Sequence, residues 1–269
     1  MFFRPNKSRL LPGTGWSLAL AALSAFLAGS CEPHRQVGGS GSAPANPVEE
    51  QLRLPSDIEF QEGTAAIVVL DTSGSMKDKV KDADGAKKPK LQIARRAVLE
   101  LVRQFEKFSI EHKDRRINLG IYEFSSRDRG QHCRKSVPLG PPDLRAAETA
   151  LKALKAEGGT PIGDAMIVAK RDLDATRLSR RHILVVTDGQ NTRGYSPGDV
   201  AEAIARQREP DRASIYFVAF DIKADRFNTV RDAGGLVLAA SDERDLNQTL
   251  DYLLTGKILV EDPNTPAKR

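Results

Sequence analysis

The sequence is poor in cysteine, in aromatic residues and in long apolar runs. Only two cysteines occur among 269 residues, so no disulfide framework holds the fold together. Aromatic residues make up 6% of the chain, which provides no evident stacking platform for single-stranded nucleic acid. The apolar run from Trp16 to Ala28 is too short to span a bilayer comfortably. The remaining composition, with 40% hydrophobic and 29% charged residues, is that of an ordinary globular protein.

Acidic residues are missing from the first thirty positions, and this affects the interpretation of the net charge. The formal charge is +5, but Arg4, Lys7 and Arg9 lie in that segment. Without these three residues the chain has 38 basic against 36 acidic residues, a net charge of +2. A balance of this kind gives no electrostatic reason to expect nucleic acid as a partner.

The first thirty residues have the order of an export signal. Basic residues precede the apolar run, and the small residues Gly29 and Ser30 follow it. We therefore interpret residues 1–30 as a signal peptide and expect the mature protein to be exported.

The end of this signal resembles the lipobox of bacterial lipoproteins, in which a cysteine is lipidated and becomes the first mature residue. The segment runs from Leu27 to Cys31, and it departs from the usual pattern because Ala28 stands where leucine is usual. The resemblance implies a lipid anchor at Cys31 and a place at the membrane of the cell envelope, in the periplasm or at the cell surface. The alternative is cleavage by the ordinary signal peptidase, which would give a secreted protein.

A segment rich in Gly, Ser and Pro follows Cys31 and has the composition of a flexible tether. We predict a linker over residues 31–60, one folded domain over 61–255 and a carboxyl-terminal tail over 256–269. With a lipidated Cys31, the linker would hold the domain close to a membrane surface.

Short apolar runs alternate with amphipathic stretches throughout the folded part, a pattern typical of a parallel sheet with helices on both faces. We predict a three-layer, doubly wound α/β fold with a mostly parallel six-stranded sheet and one antiparallel edge strand. The predicted strands are residues 65–70, 117–124, 131–139, 183–186, 214–220 and 236–239. The predicted helices are residues 91–108, 143–156, 161–173, 197–207, 227–232 and 243–254.

Oxygen-bearing side chains follow two of the predicted strands. Asp71, Ser73 and Ser75 come directly after the first strand, and Asp188 follows the strand at 183–186. Thr160 lies at a helix start after a glycine pair. Ligands of open parallel sheets collect at the carboxyl ends of the strands, and Mg2+ prefers oxygen ligands in near-octahedral geometry. The sequence therefore predicts a site for Mg2+, with Mn2+ or Ca2+ as alternatives, and not for zinc or copper.

Three segments together resemble the von Willebrand factor type A domain: Ile67 to Met76, Gly158 to Pro161 and Val185 to Gly189. That family's metal-ion-dependent adhesion site uses Asp-x-Ser-x-Ser, a Thr and a later Asp, and the five residues named above match these positions in order. The resemblance implies the fold predicted above and a binding module. It also implies that an Asp or Glu carboxylate of a partner protein completes the coordination of the metal.

Each part of the predicted site also has a simpler interpretation. Thr160 before Pro161 is what a helix cap looks like, and Ser196 before Pro197 repeats the pattern with no metal role. Asp188 with the glycine after it could form a turn, and serines often bond local backbone.

Two other functions remain as alternatives. A metal-dependent hydrolase with Asp71 as nucleophile would usually carry a second Asp two residues later, where this chain has Ser73. No histidine lies near the motifs, so we expect no enzymatic activity and assign no catalytic residue. The third possibility is a structural envelope protein whose metal only stabilises the fold.

A lysine-rich segment follows the Asp-x-Ser-x-Ser motif. Its lysines alternate with Asp78, Asp82 and Asp84, which favours a solvated loop of mixed charge. The lysines are Lys77, Lys79, Lys81, Lys87, Lys88 and Lys90.

Overall fold

The computed structural model describes residues 46–55, 58–128 and 131–259. The predicted signal peptide, Cys31, most of the linker and most of the tail lie outside these residues. Within them, no helix combines the length and the apolar character needed to cross a membrane.

The strands of the described residues are β1 (Gln61–Asp71), β2 (Lys79–Lys81), β3 (Lys87–Pro89), β4 (Ile117–Asp128), β5 (Gln131–Gly140), β6 (Leu178–Thr187), β7 (Ser214–Phe220) and β8 (Leu236–Ala240). Six of them form the main sheet in the order β5-β4-β1-β6-β7-β8, and β2 and β3 form a separate pair. In the main sheet all neighbours are parallel except β4 and β5, which form an antiparallel pair at the sheet edge. This confirms the predicted sheet, including its antiparallel edge strand.

Helices cover both faces of the sheet, as predicted. They are α1 (Pro47–Gln51), α2 (Lys90–Glu111), α3 (Leu144–Ala153), α4 (Ile162–Ala175), α5 (Pro197–Ala205), α6 (Asn228–Asp232) and α7 (Glu243–Leu253). A π-helical turn, Leu254–Ile258, continues α7, and three short 3-10 turns lie at Gly74–Lys77, Glu209–Asp211 and Ala224–Phe227.

Residues 65–70 of the central strand β1 form an unbroken apolar run because this part of the strand is buried on both faces. Ala66, Val68 and Leu70 pack into one core with residues of α2, α3 and α7. The alternate residues, such as Ile67 and Val69, pack into a second core with residues of α4 and α5. A strand with helices on both sides needs apolar side chains at every position, because neither face meets water.

Several predicted helix ends differ from the structure by one to three residues. The helix predicted from residue 143 begins at Leu144, because Asp143 is its N-cap and accepts a hydrogen bond from the Ala146 N–H at 2.9 Å. That helix ends at Ala153, three residues earlier than predicted. The helix after Ser196 ends at Ala205 and not at residue 207.

The predicted linker over 31–60 needs correction at its carboxyl end. Residues 47–51 form α1, and Val48 and Leu52 are buried in the second core. The side chain of Gln207 donates a hydrogen bond of 2.8 Å to the carbonyl of Leu52. Burial of these two apolar residues and this hydrogen bond hold the short helix against the domain.

The lysine-rich segment contains a two-stranded ribbon that was not predicted. Strands β2 and β3 pair antiparallel. In their turn, Asp82 accepts hydrogen bonds from the N–H groups of Asp84 at 3.1 Å and Ala86 at 2.8 Å. The Ala83 N–H donates to the carboxylate of Glu243 at 2.9 Å, which ties the turn to the start of α7.

Candidate metal centre

Adjacent parallel strands bring the two predicted aspartates together. Asp71 is the last residue of β1, and Asp188 follows the last residue of β6, which pairs with β1. The carboxyl ends of the two strands therefore meet at one edge of the sheet. A third segment joins them there, because the N–H of Gly74 donates to the carbonyl of Gly158 at 2.9 Å.

Four of the five predicted residues form one chain of hydrogen bonds. The Ser73 N–H donates to Oδ1 of Asp71 at 2.7 Å. The Oγ atoms of Ser73 and Ser75 lie 3.1 Å apart. The Ser75 hydroxyl donates to Oδ1 of Asp188 at 2.7 Å. The one-residue spacing of the motif thus places both serine hydroxyls between the two carboxylates.

The fifth residue, Thr160, faces the same space. A Cβ atom built on Gly189 would lie 3.5 Å from Oγ1 of Thr160 and 3.7 Å from Oγ of Ser75. Glycine at position 189 therefore leaves open a small cradle that these two hydroxyls border. Two hydrogen bonds of 2.9 Å hold the backbone of Thr160. Its N–H donates to the hydroxyl of Thr192, and its carbonyl accepts from the N–H of Thr192.

The alternative interpretation of Thr160 as a helix cap is wrong. The first helical N–H, that of Ile162, donates to the side chain of Asn191 at 2.8 Å. The Thr160 hydroxyl makes no hydrogen bond to any residue in the described ranges. Ser196 shows the capping geometry instead, because its side chain accepts a hydrogen bond from the Gly198 N–H at 3.2 Å.

Asp71 is a fully buried carboxylate. Its second oxygen accepts a hydrogen bond of 2.6 Å from the Thr187 hydroxyl. Burial raises the pKa of Asp71 to about 7, although the hydrogen bonds from Ser73 and Thr187 oppose this shift. Within the described residues no lysine, arginine or histidine forms an ion pair with it. A buried carboxylate without a cationic partner is costly, and a bound cation would compensate it.

Lys90 also lies at this site, and its prediction as a solvated residue was wrong. The residue is 5% exposed, and its ammonium lies 3.0 Å from Oδ2 of Asp188 and 2.8 Å from Oδ2 of Asp221. Burial lowers the pKa of Lys90, but its contacts with Asp221 and Asp188 outweigh burial and leave the pKa above its ordinary value. Lys90 is therefore a charged member of the site.

Sequence reasoning also missed Asp221, although the signal was present. Asp221 follows β7 directly, just as Asp71 closes β1 and Asp188 follows β6. The same argument from strand ends would have placed it at this edge of the sheet.

The side chains at this edge fit a hard divalent cation. Among the described residues, the ammonium of Lys90 pairs with Asp188 and Asp221 while the carboxylate of Asp71 has no cationic partner, so negative charge is in excess. Two carboxylates and three hydroxyls supply only oxygen, which Mg2+ prefers, and waters would complete its coordination. In the described ranges no group of three or more His, Cys, Asp or Glu side chains could hold a metal. A cation at this edge therefore depends on the hydroxyls of Ser73, Ser75 and Thr160.

A family model matches part of the chain. Residues 66–190 match the family model of the von Willebrand factor type A domain, and this range contains all five predicted ligands. No curated protein matches the chain. The fold is shared with a von Willebrand factor type A structure from Catenulispora acidiphila, at 20% identity and a TM-score of 0.55, over 72% of this chain and 42% of that one.

Two further structures share the fold. The PilB minor pilin from Streptococcus sanguinis matches at 12% identity and a TM-score of 0.55, over 74% of this chain and 63% of the pilin. Proximal thread matrix protein 1 from the mussel byssus, in a structure with a zinc-occupied MIDAS motif, matches at 17% identity and a TM-score of 0.53. That match covers 73% of this chain and 48% of the mussel protein. The chain thus spans less than two thirds of the length of each of these structures.

Proposed function

On the premise that residues 66–190 lie in a von Willebrand factor type A domain, we propose that this protein captures a protein partner through a Mg2+-dependent adhesion site. The ligands of the site are Asp71, Ser73, Ser75, Thr160 and Asp188. The observation that carries the proposal is the continuous hydrogen-bonded chain from Asp71 through both serines to Asp188. Domains of this family are generally interaction modules and not enzymes.

The partner in this proposal presents an Asp or Glu carboxylate. Three of the five ligands are neutral hydroxyls, so a bound divalent cation keeps part of its positive charge. A carboxylate that enters the crevice gains a strong attraction, because the low dielectric of a partly buried site weakens screening. The excess of carboxylates at the crevice repels such a partner until the cation is bound, which makes capture dependent on the metal.

The identity of the metal is part of the proposal. An oxygen-only ligand set favours Mg2+, with Mn2+ and Ca2+ as alternatives. The mussel protein contains zinc at its motif. Zinc therefore belongs in the same titrations as a competitor.

The location of the protein follows from the sequence signals. We propose that the domain is exported and held at the cell envelope by a lipid on Cys31. Substitution Cys31→Ser should release the protein from the membrane fraction into the soluble fraction. Retention of the variant in the membrane fraction would show that another feature anchors it.

Thermal unfolding with and without added Mg2+ tests the site. A ligand that binds only the folded state stabilises it by about 2.7 kcal/mol at a concentration one hundred times its Kd. We expect millimolar Mg2+ to raise the midpoint of the wild type and to leave Asp71→Asn and Asp188→Asn unchanged. Asp78→Asn, an exposed aspartate close to the motif, is the matched control and should respond like the wild type. No Mg2+ response in the wild type would contradict the site.

Capture of a partner is tested separately, from an envelope extract with and without a chelator. The proposal requires a bound protein that is lost both on chelation and in Asp188→Asn, and that is retained by Asp78→Asn. A metal that stabilises the fold without any partner of this kind would favour the structural envelope protein.

A further inference from the structure

Lys90 approaches the metal centre from a different element than the predicted ligands. It is the first residue of α2, whereas Asp188 and Asp221 follow β6 and β7. Its ammonium bridges the two carboxylates at 3.0 Å and 2.8 Å. The Lys90 side chain is 7% exposed and the Asp188 side chain is fully buried, so solvent screens their contact little.

The start of a helix is an unfavourable place for a lysine. The helix dipole carries partial positive charge at its N-terminus and disfavours a cation there. Burial of an ammonium group adds a desolvation penalty. The two carboxylates compensate both penalties, which explains how Lys90 stays charged and buried at this position.

Asp221 differs from Asp188 in a way that matters for a cation. Its side chain is 44% exposed, and it is not one of the five predicted metal ligands. Its backbone has a φ of 55° and is fixed by a hydrogen bond of 2.7 Å from its N–H to the carbonyl of Ala240. Asp221 therefore offers the ammonium a fixed second partner outside the ligand set.

We propose that Lys90 is a built-in counter-cation that competes with the divalent metal for Asp188 and is retained by Asp221 when the metal binds. This inference rests on the proposed metal site and adds a determinant of its affinity. Both oxygens of Asp188 are engaged, Oδ1 by the Ser75 hydroxyl and Oδ2 by Lys90. A metal that uses Asp188 must therefore act against the ammonium, and Asp221 stabilises the ammonium after it is displaced.

Substitutions of Lys90 and Asp221 should change the affinity for Mg2+ in opposite directions. Lys90→Met removes the competitor, so the affinity for Mg2+ should rise by about tenfold or more, because like charges in a partly buried site repel strongly. Asp221→Asn removes the alternative partner of the displaced ammonium, so the affinity should fall by about threefold to tenfold. In the double variant the ammonium is absent, and the effect of Asp221→Asn should largely disappear.

Calorimetric titration of the full chain with Mg2+ alone measures these changes. Lys77→Met removes the same charge from an exposed lysine in the same segment, and Asp225→Asn removes an exposed carboxylate four residues after Asp221. Both controls should stay within about twofold of the wild type, since exposed charges are screened. Asp221 is partly exposed, so its variant keeps the test valid if Lys90→Met fails to fold.

The outcomes separate this inference from the proposed function. Tighter binding by Lys90→Met than by Lys77→Met, with coupling to Asp221, supports the inference. Equal affinities of Lys90→Met and Lys77→Met would overturn the inference and leave the metal site intact. The same holds if the loss of affinity in Asp221→Asn persists in the double variant or is no larger than the loss in Asp225→Asn. Binding by Lys90→Met alone would support the competition but contradict a Mg2+-dependent function of the natural chain. No binding by any variant would overturn both.

Discussion

Charged side chains are buried at both ends of the central strands, but the two ends differ in how the charges are matched. Near the start of β6, Lys170 donates to Asp174 at 2.6 Å and Arg181 donates to the same carboxylate at 2.7 Å. Arg181 also donates to the carbonyl of Pro210 and is attracted by the nearby Asp211. Arg208 pairs with Asp211 at 2.6 Å, so among the described residues both buried carboxylates at this end have cationic partners.

At the carboxyl end of the same strands, three aspartates follow or close β1, β6 and β7. Lys90 contacts two of them, Asp188 and Asp221, and no cation among the described residues forms an ion pair with the buried Asp71. A cluster whose charges are paired with each other needs no ligand, whereas a cluster with an unpaired carboxylate and the hydroxyl oxygens of Ser73, Ser75 and Thr160 is suited to a cation. The contrast shows why the first cluster is structural and the second is the candidate site.

Among these variants, loss of Arg181 should lower the stability of the protein most, because it breaks the buried cluster near the start of β6. Arg181→Met should lower the free energy of unfolding by about 3 to 5 kcal/mol, because it leaves a buried carboxylate with one partner fewer. Denaturant unfolding measures the loss, and the loss should be the same with and without Mg2+. Arg145→Met, at an exposed position of α3, should change stability by less than about 0.5 kcal/mol. Equal effects of the two variants would contradict a structural role for the cluster.

A buried histidine near the start of β6 should make the stability of the protein depend on pH. His182 is fully buried, and burial lowers its pKa from 6.5 to about 3. The unfolded chain therefore binds a proton between these pH values that the folded chain does not bind. The stability associated with neutral His182 is present above pH 6.5 and decreases as the pH falls towards 3, by up to about 4 kcal/mol.

The variant His182→Phe isolates this contribution. It keeps an aromatic ring against Tyr216, whose ring centroid lies 5.9 Å away. The difference in unfolding free energy between wild type and variant should change in favour of the variant as the pH falls below 6.5. A difference that stays constant from pH 7 to pH 4 would show that His182 is not held neutral.

At the carboxyl end of the strands, removal of a charge should raise the free energy of unfolding, whereas Arg181→Met should lower it. In metal-free buffer at pH 8, Asp71→Asn should raise the free energy of unfolding by about 2 kcal/mol, because the amide removes a buried, unpaired negative charge. The pKa of Asp71 is about 7 in the folded state, above its ordinary value of 3.8. The folded chain therefore binds the extra proton, and metal-free stability decreases as the pH rises from about 4 to about 7.

Denaturant unfolding of wild type and Asp71→Asn at pH 5 and pH 8 checks this prediction. The advantage of the variant should be larger at pH 8. A destabilised Asp71→Asn at pH 8 without metal would mean that Asp71 is already compensated, and the contrast between the two ends would be lost.

The smallest effect separates two residues that look alike in sequence. Thr160→Val should leave metal-free stability nearly unchanged and weaken Mg2+ binding by about tenfold, or about 1.4 kcal/mol, through the loss of one hydroxyl ligand. Ser196→Ala should lower stability by about 1 kcal/mol through the loss of a helix cap and leave metal binding unchanged. Unfolding and calorimetry on both variants give the comparison, and the reverse pattern would assign capping to Thr160.

The sheet and the meeting of Asp71 with Asp188 could be predicted from the sequence because they follow repeating rules. Residues 65–70 of β1 are all apolar, and the aspartates at the ends of β1 and β6 must meet because the strands are parallel neighbours. Lys90 could not be assigned in this way. The other lysines of its segment lie at exposed or half-buried positions, and only the position of α2 against the ends of β6 and β7 places the Lys90 ammonium between two carboxylates. The short helix α1 was missed for a similar reason, since its burial depends on a docking surface far away in sequence.

Crystals grown with Mn2+, measured at a wavelength where manganese scatters anomalously, would show where a divalent cation binds. We predict one strong anomalous peak at the carboxyl edge of the sheet, within about 2.0 to 2.4 Å of the Ser73 and Ser75 hydroxyl oxygens. Crystals of the Asp71→Asn variant, grown in the same way, should lack this peak. A peak at the β2–β3 turn instead, or no peak in the wild type at millimolar Mn2+, would contradict a metal site at Asp71, Ser73 and Ser75.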